Sequence, residues 1–323
     1  MVLLFTLYSV VGILQTQVLD YEKYTVSINV PYTSNLMPVF MCFHGAMGNI
    51  DNCQKLDRDV FMLQNFVTVF PVSKTGFWEN TKNELKFLKT IVKNVTQHSN
   101  IAQRVVCAGY SQGSYIMQRL FVESKLNVIK GGFAFLTQLP FSIFYDNNFH
   151  KIKGKIVKPQ PRDIVYILGM LDTVAQNEFS VPTPPYWIPE LLEIGPVPIY
   201  DQVYKVSDSA YIWQNMWGDT EYKPLEVDSY GNHRVMYANV QASVIAGMQH
   251  NVGTHIDVIR EYLLESDLLC FVDVNRDGRV DILDGVEALR YLSTQIRLPN
   301  FCSFDANTDG QVDMADVELI FDH

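Results

Sequence analysis

The chain has 323 residues, 48% of them hydrophobic, which is enough for one large globular domain or two unequal ones. The formal net charge is −10, and residues 263–323 carry most of it with thirteen acidic and four basic residues. The nearly neutral body has no run of Lys and Arg, which argues against nucleic acid as a partner.

The first fourteen residues are almost wholly apolar and are followed by the polar stretch Gln15–Gln17. The run is too short to span a bilayer and is typical of a signal-peptide core, so we expect residues 1–17 to be a leader. A buried first strand is the alternative, because Lys and Arg are missing before the run. No later segment is apolar enough to cross a membrane, and Asn94-Val95-Thr96 is a glycosylation sequon. The sequence therefore predicts a soluble, secreted protein.

Between about residues 24 and 262, short apolar runs alternate with longer amphipathic stretches. This pattern predicts an α/β fold with a mostly parallel sheet flanked by helices. The predicted strands are Tyr24–Val30, Pro38–Phe43, Phe66–Phe70, Arg104–Ala108, Gly131–Phe135, Ile164–Leu168 and Ala242–Ala246. The predicted helices are Thr81–Val95, Ser114–Ser124 and Thr254–Glu265. The proline-rich stretch from Phe179 to Tyr200 is expected to be an irregular loop.

The five cysteines are an odd number, so at least one is unpaired or bonded to another chain. Cys107 lies in an apolar run and is expected to be a buried thiol. Cys270 and Cys302 occupy equivalent positions in an internal repeat, and either a disulfide between them or two separate thiols fits the sequence.

The main catalytic motif is Gly109-Tyr110-Ser111-Gln112-Gly113, which follows a predicted strand and precedes a predicted helix. A serine in such a sharp strand-to-helix turn is typical of a nucleophile elbow, and its glycines allow close backbone contacts. The alternative is an ordinary glycine-rich turn. Upstream, the strand ending at Phe43 leads into His44-Gly45-Ala46. We expect the Gln112 and Ala46 amides to form an oxyanion hole, with His44 as a structural partner of its loop.

A serine nucleophile needs a histidine base oriented by a carboxylate, in the chain order Ser, acid, His for this fold. Asp172 follows the predicted strand Ile164–Leu168, and His250 follows the strand Ala242–Ala246. His233 and His255 are the other histidines between Asp172 and the C-terminal repeat. The predicted catalytic residues are therefore Ser111, Asp172 and His250.

These motifs resemble the secreted esterases grouped with polyhydroxybutyrate depolymerases and feruloyl esterases, a branch of the α/β-hydrolase family. The resemblance covers about residues 24–262. It implies hydrolysis of feruloyl or acetyl esters on polysaccharides, or of polyhydroxyalkanoate-like polyesters, through an acyl-enzyme and without a catalytic cofactor. Aromatic side chains near the expected site could stack on a substrate or pack in the core or lid: Phe77, Trp78, Tyr110, Tyr186 and Trp187.

Two acidic segments beginning at Asp273 and Asp305 repeat at a period of 32 residues. Oxygen side chains at positions 1, 3, 5, 9 and 12, a glycine at 6 and a backbone carbonyl at 7 are the pattern of a Ca²⁺ loop. Acidic turns on a solvated surface are the alternative. The predicted ligand residues are Asp273, Asn275, Asp277, Arg279, Asp281, Asp284, Asp305, Asn307, Asp309, Gln311, Asp313 and Asp316, with Arg279 and Gln311 acting through their carbonyls.

The paired loops, with Asp at position 12, resemble a dockerin, a module that anchors secreted enzymes to cohesin scaffolds. The resemblance implies two Ca²⁺ ions and a cohesin-like partner. Positions 10 and 11, often Ser or Thr in dockerins, are Ile282-Leu283 and Met314-Ala315 here. The expected organisation is a leader (1–17), an α/β-hydrolase domain (18–262) and a dockerin-like domain with EF-hand-type loops (263–323). A serine peptidase, a thioesterase and a catalytically silent adhesion or scaffold protein are the alternative functions.

Overall fold

The computed structural model describes most of the chain up to residue 269 and two helices beyond it. The described residues are 15–31, 37–61, 66–79, 81–98, 101–137, 151–152, 155–156, 161–172, 207, 209–211, 213–214, 221–253, 255–264, 266–269, 282–294 and 313–321.

A ten-stranded sheet organises the described structure. Its strands are β1 (Gln15–Asp20), β2 (Tyr24–Val30), β3 (Met37–Phe43), β4 (Val67–Ser73), β5 (Ile101–Tyr110), β6 (Ile129–Phe135), β9 (Asp163–Gly169), β10 (Glu226–Val227), β11 (His233–Met236) and β12 (Val240–Ile245). Their order across the sheet is β1-β2-β4-β3-β5-β6-β9-β12-β11-β10. Strands β4, β3, β5, β6, β9 and β12 are parallel, and the outer strands at both edges pair antiparallel. A separate hairpin pairs β7 (Lys151–Ile152) with β8 (Lys155–Ile156).

Helices cover both faces of the sheet, because its central strands are apolar on both sides. Every residue of β3 is buried, as expected for a parallel strand between two layers. Helices α2 (Lys82–Val95) and α3 (Gln112–Glu123) pack on one face. On the other face lie α1 (Ile50–Leu56), the π-helical turn Asp57–Phe61 and α4 (Ile256–Leu264).

The central sheet agrees with the sequence prediction, whereas the edges do not. All seven predicted strands and three predicted helices are present with small differences at their ends, but α1, β1, β10 and β11 were missed. The expected leader boundary at residue 17 falls within β1. The expected boundary at residue 262 falls within α4, and the sheet's apolar core extends to Leu268. The proline-rich stretch lies outside the described residues.

A buried arginine just before β9 connects the C-terminus of α3 to the sheet. Arg162 is 3% exposed, and its guanidinium donates to the backbone carbonyls of Phe121, Ser124, Leu126 and Ile129. Burial lowers the pKa of Arg162 to about 10. The carbonyls at a helix C-terminus carry partial negative charge, so this cation stabilises the end of α3.

A disulfide between Cys42 and Cys53 connects β3 to α1. This pairing was not predicted from the sequence, whereas Cys107 is a free buried thiol as expected. Cys270 and Cys302 lie outside the described residues.

The C-terminal segment contains helices α5 (Ile282–Thr294) and α6 (Met314–Phe321), which pack against each other. Each of these helices begins at position 10 of one of the two predicted Ca²⁺ loops. In the described part of the chain, no helix has the length and apolarity needed to cross a membrane.

Candidate active site

Ser111 stands in a strained turn between β5 and α3. Its φ is 51° and its ψ is −118°, a conformation that a residue with a side chain rarely adopts. A Cβ on Gly109 would collide with the Ser114 backbone, and a Cβ on Gly113 would collide with the Phe43 carbonyl oxygen. Both glycines of the motif are therefore needed for the close approach of β3, β5 and α3. Ser111 is held 6% exposed at the start of α3.

The loop after β3 lies against this turn. Its tight turn is closed by a hydrogen bond of 3.0 Å from the Gly48 N–H to the Gly45 carbonyl, and Met47 has a φ of 57°. A Cβ on Gly45 would lie 3.5 Å from the Ser111 Cβ, so the loop and the elbow are in direct contact. Ala46, one predicted oxyanion donor, belongs to this turn. The other predicted oxyanion donor, Gln112, is the first residue of α3, where backbone N–H groups lack intrahelical acceptors.

His44 is completely buried and fixed through both ring nitrogens. Its Nε2 accepts from the Ser73 N–H at 3.1 Å, and its Nδ1 lies 2.7 Å from the Gly45 carbonyl oxygen. This arrangement requires the neutral ring with its proton on Nδ1, and burial lowers the pKa of His44. The ring therefore stabilises the loop and has no nitrogen left for proton transfer.

Trp78 connects the loop to the elbow. Its indole N–H donates to the His44 carbonyl at 2.8 Å, and its ring stacks on the His44 ring. The Trp78 backbone N–H and carbonyl bind the Gln112 side-chain amide at 3.0 and 3.3 Å. The sequence allowed Trp78 either to stack on a substrate or to pack in the core or lid. Because its side chain is only 3% exposed, it packs in the core. Sequence reasoning missed this bridge because Trp78 and Gln112 are far apart in the chain.

Asp172 and His250 form a hydrogen-bonded pair at the same edge of the sheet. Asp172 follows β9 and His250 follows β12, and these neighbouring strands run parallel. The Asp172 Oδ2 lies 2.8 Å from the His250 Nδ1, and the carboxylate is fully buried while the imidazole is partly exposed. A buried carboxylate on Nδ1 fixes the ring orientation and leaves Nε2 as the nitrogen for proton exchange.

Tyr110 joins this pair to the elbow. Its hydroxyl donates to the His250 carbonyl at 3.0 Å, and its ring meets the imidazole edge to face with centroids 5.9 Å apart. Burial, with the nearby negative charge of Asp172, raises the pKa of Tyr110 to about 12. The hydroxyl therefore remains a hydrogen-bond donor at neutral pH.

The structure thus brings Ser111, Gln112, the Ala46 turn and the Asp172–His250 pair to one edge of the sheet. His255 lies at the start of α4 and His233 opens β11, so neither takes the place of His250 on the Asp172 carboxylate. Phe77 is 44% exposed, and Tyr186 and Trp187 lie outside the described residues.

Of the predicted Ca²⁺ ligands, all but Asp284, Asp313 and Asp316 lie outside the described residues. Within the described ranges no group of three or more acidic, His or Cys side chains is arranged for a metal. Asp284 is fully buried in the first turn of α5, and the Asp313 carboxylate accepts from the Ala315 N–H at the start of α6. Asp284 and Asp313 hold position 12 of the first predicted loop and position 9 of the second, and carboxylate oxygens are the ligand type that a hard cation requires.

The topology and the strand-end residues place the sheet domain in the α/β-hydrolase fold. An acetyl xylan esterase from Aspergillus awamori matches 78% of this chain and 98% of its own, with a TM-score of 0.50 and 14% identity. A poly(3-hydroxybutyrate) depolymerase from Bordetella parapertussis matches 79% of this chain and 90% of its own, with a TM-score of 0.48 and 15% identity. At 14% identity, the match to the acetyl xylan esterase shows the fold alone.

In the C-terminal segment, residues 272–322 match the family model of the dockerin type I domain. No curated protein matches the sequence. The protein therefore combines an α/β-hydrolase fold with a dockerin type I segment.

Proposed function

We propose that the chain is a serine hydrolase of carboxylic esters, with Ser111 as nucleophile, His250 as base and Asp172 as the orienting acid. The observation that carries the proposal is the Asp172–His250 hydrogen bond beside a serine held at φ 51°. The three residues also follow the chain order of α/β-hydrolase triads.

In acylation, the Ser111 oxygen attacks the ester carbonyl carbon while the His250 Nε2 takes the hydroxyl proton. The tetrahedral intermediate then expels the alcohol, whose oxygen receives that proton from His250, and Ser111 remains acylated. In deacylation, water repeats the sequence and releases the carboxylic acid. The Asp172 carboxylate holds the His250 Nδ1 and stabilises the imidazolium in both steps.

The oxyanion of each intermediate would be bound by the Gln112 and Ala46 backbone N–H groups. The N-terminus of α3 adds a favourable partial positive charge at this point. The Trp78 bridge supports the arrangement, since it holds the upstream loop and the Gln112 side chain before any substrate binds.

The proposed substrates are feruloyl or acetyl esters on polysaccharides, or polyhydroxyalkanoate-like polyesters, and the proposed location is extracellular. Support for a polysaccharide setting comes from the dockerin segment, which implies recruitment by a cohesin-like scaffold protein. Support for export comes from the Cys42–Cys53 disulfide, because such bonds persist in oxidising compartments.

A fluorophosphonate probe tests the serine mechanism directly. We expect one adduct, located on Ser111 by peptide mass spectrometry and absent from Ser111→Ala, together with turnover of short acyl esters. A protein without the adduct would be the catalytically silent alternative. An adduct without ester turnover would indicate a peptidase or a thioesterase.

The dockerin segment is proposed to bind two Ca²⁺ ions and to order its loops on binding, since dense carboxylates repel one another without a cation. Circular dichroism of the full chain should show helicity lost on chelation and regained with Ca²⁺. Asp273→Ala/Asp305→Ala removes the first ligand of each loop and should abolish the response, whereas the exposed control Asp257→Ala should keep it. A chelation-insensitive spectrum with no calorimetric Ca²⁺ binding would contradict the proposal.

A further inference from the structure

A cavity of about 140 Å³ lies beside the proposed catalytic residues. One wall comes from α1 and the π-helical turn after it, and the other comes from the segment between His250 and α4. Tyr110 and Asn251 line it, and these residues come directly before Ser111 and directly after His250. The cavity therefore borders the histidine end of the site, and none of its lining residues belongs to the Ala46 turn or to the start of α3.

The cavity combines an apolar floor with a polar rim. Leu56, Val60 and Val252 are buried and form the floor. A floor of this kind beside an aromatic ring suits the C–H face of a small saturated or aromatic ring.

The rim presents both hydrogen-bond donors and hydrogen-bond acceptors. Asn52 and Asn251 supply amides, Lys55 supplies a cation and Asp59 supplies an anion. A hydrogen bond from Arg58 lowers the pKa of Asp59, so the carboxylate is ionised at neutral pH. The lining residues carry one positive and one negative charge, and Asp59 is paired with Arg58 at 2.7 Å. Hydroxyl groups can donate to the carboxylate and accept from the amides and Lys55, so the rim suits a neutral ligand with several hydroxyl groups.

The position of the cavity decides which part of an ester would enter it. The leaving oxygen must receive its proton from the His250 Nε2, whereas the carbonyl oxygen must face the amides on the other side of Ser111. A cavity at the histidine end therefore lies on the path of the alcohol. Its volume is well below the roughly 300–1,000 Å³ of pockets for drug-sized ligands, which restricts it to about one ring.

We propose that this cavity is the alcohol subsite of the enzyme and that it takes one neutral sugar ring of the ester substrate. The assignment rests on the proposed function. Among the proposed substrates, this subsite favours esters of sugar hydroxyls over polyesters, because the alcohol portion of a polyester lacks a ring with several hydroxyl groups.

Three acetates with different alcohols test the subsite: methyl 2-O-acetyl-β-xylopyranoside, cyclohexyl acetate and 4-nitrophenyl acetate. The first two have ring alcohols with and without hydroxyls, and the third has an activated leaving group that needs little assistance. We expect kcat/KM for the xyloside to exceed that for cyclohexyl acetate by roughly tenfold or more, the equivalent of one or two hydrogen bonds.

Two substitutions of Lys55 test the location, because this side chain is exposed and stands outside the proposed catalytic residues. Lys55→Met removes the charge and should lower the xyloside's kcat/KM about fivefold, whereas Lys55→Trp should block the cavity and lower it more than tenfold. For both variants, the loss with 4-nitrophenyl acetate should be smaller than the loss with the xyloside, because nitrophenol has no hydroxyl groups for the rim to bind and leaves with little assistance. Lys86→Met and Lys86→Trp, at an exposed lysine of α2, are the matched controls and should change none of the three rates.

Equal losses for all three acetates, or no loss for the xyloside, would overturn the subsite while leaving ester hydrolysis intact. If the parent protein hydrolyses none of the acetates, the proposed function fails, and the cavity is then tested by binding. Methyl β-xylopyranoside titrated into Ser111→Ala should shift NMR signals of the protein, and the shifts should disappear in Ser111→Ala/Lys55→Trp. Binding that survives this second substitution, or no binding at all, would refute the subsite.

Discussion

The two ends of the candidate site are built in different ways. At the nucleophile end, the His44 loop, Trp78 and the elbow are joined by several hydrogen bonds and by backbone contacts that only glycine permits. At the histidine end, the loops after β9 and β12 are joined by a hydrogen bond of 2.9 Å from the Leu171 N–H to the Met248 carbonyl and by the close approach of Gly169 to that carbonyl. The Asp172–His250 pair and the Tyr110 contact add to this connection. Backbone contacts therefore hold the loops at both ends, whereas the orientation of the imidazole depends on the Asp172 carboxylate. Single substitutions should therefore separate effects on rate from effects on stability.

The largest effect on rate is expected at the histidine end. Asp172→Asn keeps the size of the side chain but removes the charge that selects the His250 tautomer, so kcat should fall by ~10⁴. The melting temperature should change little. Steady-state kinetics and calorimetry measure both quantities, with the exposed Asp257→Asn as control. A loss below tenfold would show that the pair does not act in catalysis.

The largest effect on stability is expected at the nucleophile end. The Cys42–Cys53 bridge spans 11 residues and encloses the His44 loop. Cys42→Ser/Cys53→Ser should lower the free energy of unfolding by about 3 kcal/mol, the loop-closure value for this length. Guanidinium denaturation measures the loss. Reducing agent should reproduce it in the parent protein and leave the double variant unchanged, and a reductant-insensitive parent would contradict the bridge.

The Trp78 bridge should have an intermediate effect on rate. Gln112→Ala keeps the backbone N–H but removes the two side-chain bonds to Trp78. We expect kcat to fall by ~10–100-fold, less than for deletion of an oxyanion donor, with KM nearly unchanged. Gln54→Ala on the exposed side of α1 is the matched control. An increase in KM with unchanged kcat would instead place the Gln112 side chain in substrate binding.

The smallest effect is expected for Tyr110→Phe, which removes one hydrogen bond to the His250 carbonyl. A loss of about 1 kcal/mol in positioning corresponds to a kcat roughly fivefold lower, and 4-nitrophenyl acetate should report it. Tyr230→Phe, at a mostly exposed tyrosine, should leave kcat unchanged. An unaffected rate in Tyr110→Phe would mean that the Asp172 carboxylate alone positions the histidine.

The sequence was most informative where the structural signal is local. Buried parallel strands are continuous apolar runs, and β3 and β9 were found for this reason. The elbow was readable because the strand, the strained serine and the helix are adjacent in the chain. The edge strands β1, β10 and β11 were missed because they are short or mixed in polarity, and antiparallel pairing with a neighbour stabilises them.

What the sequence determined by itself was the α/β pattern, the Gly109–Gly113 turn and the spacing of the acidic repeat, since each depends on residues close together in the chain. Only the tertiary structure decided that Cys42 pairs with Cys53, that Trp78 packs beneath the site, and that a cavity lies next to His250. The Asp172–His250 contact stands between these cases. Chain order proposed it, but the parallel pairing of β9 with β12 brings the two loops together across 78 residues.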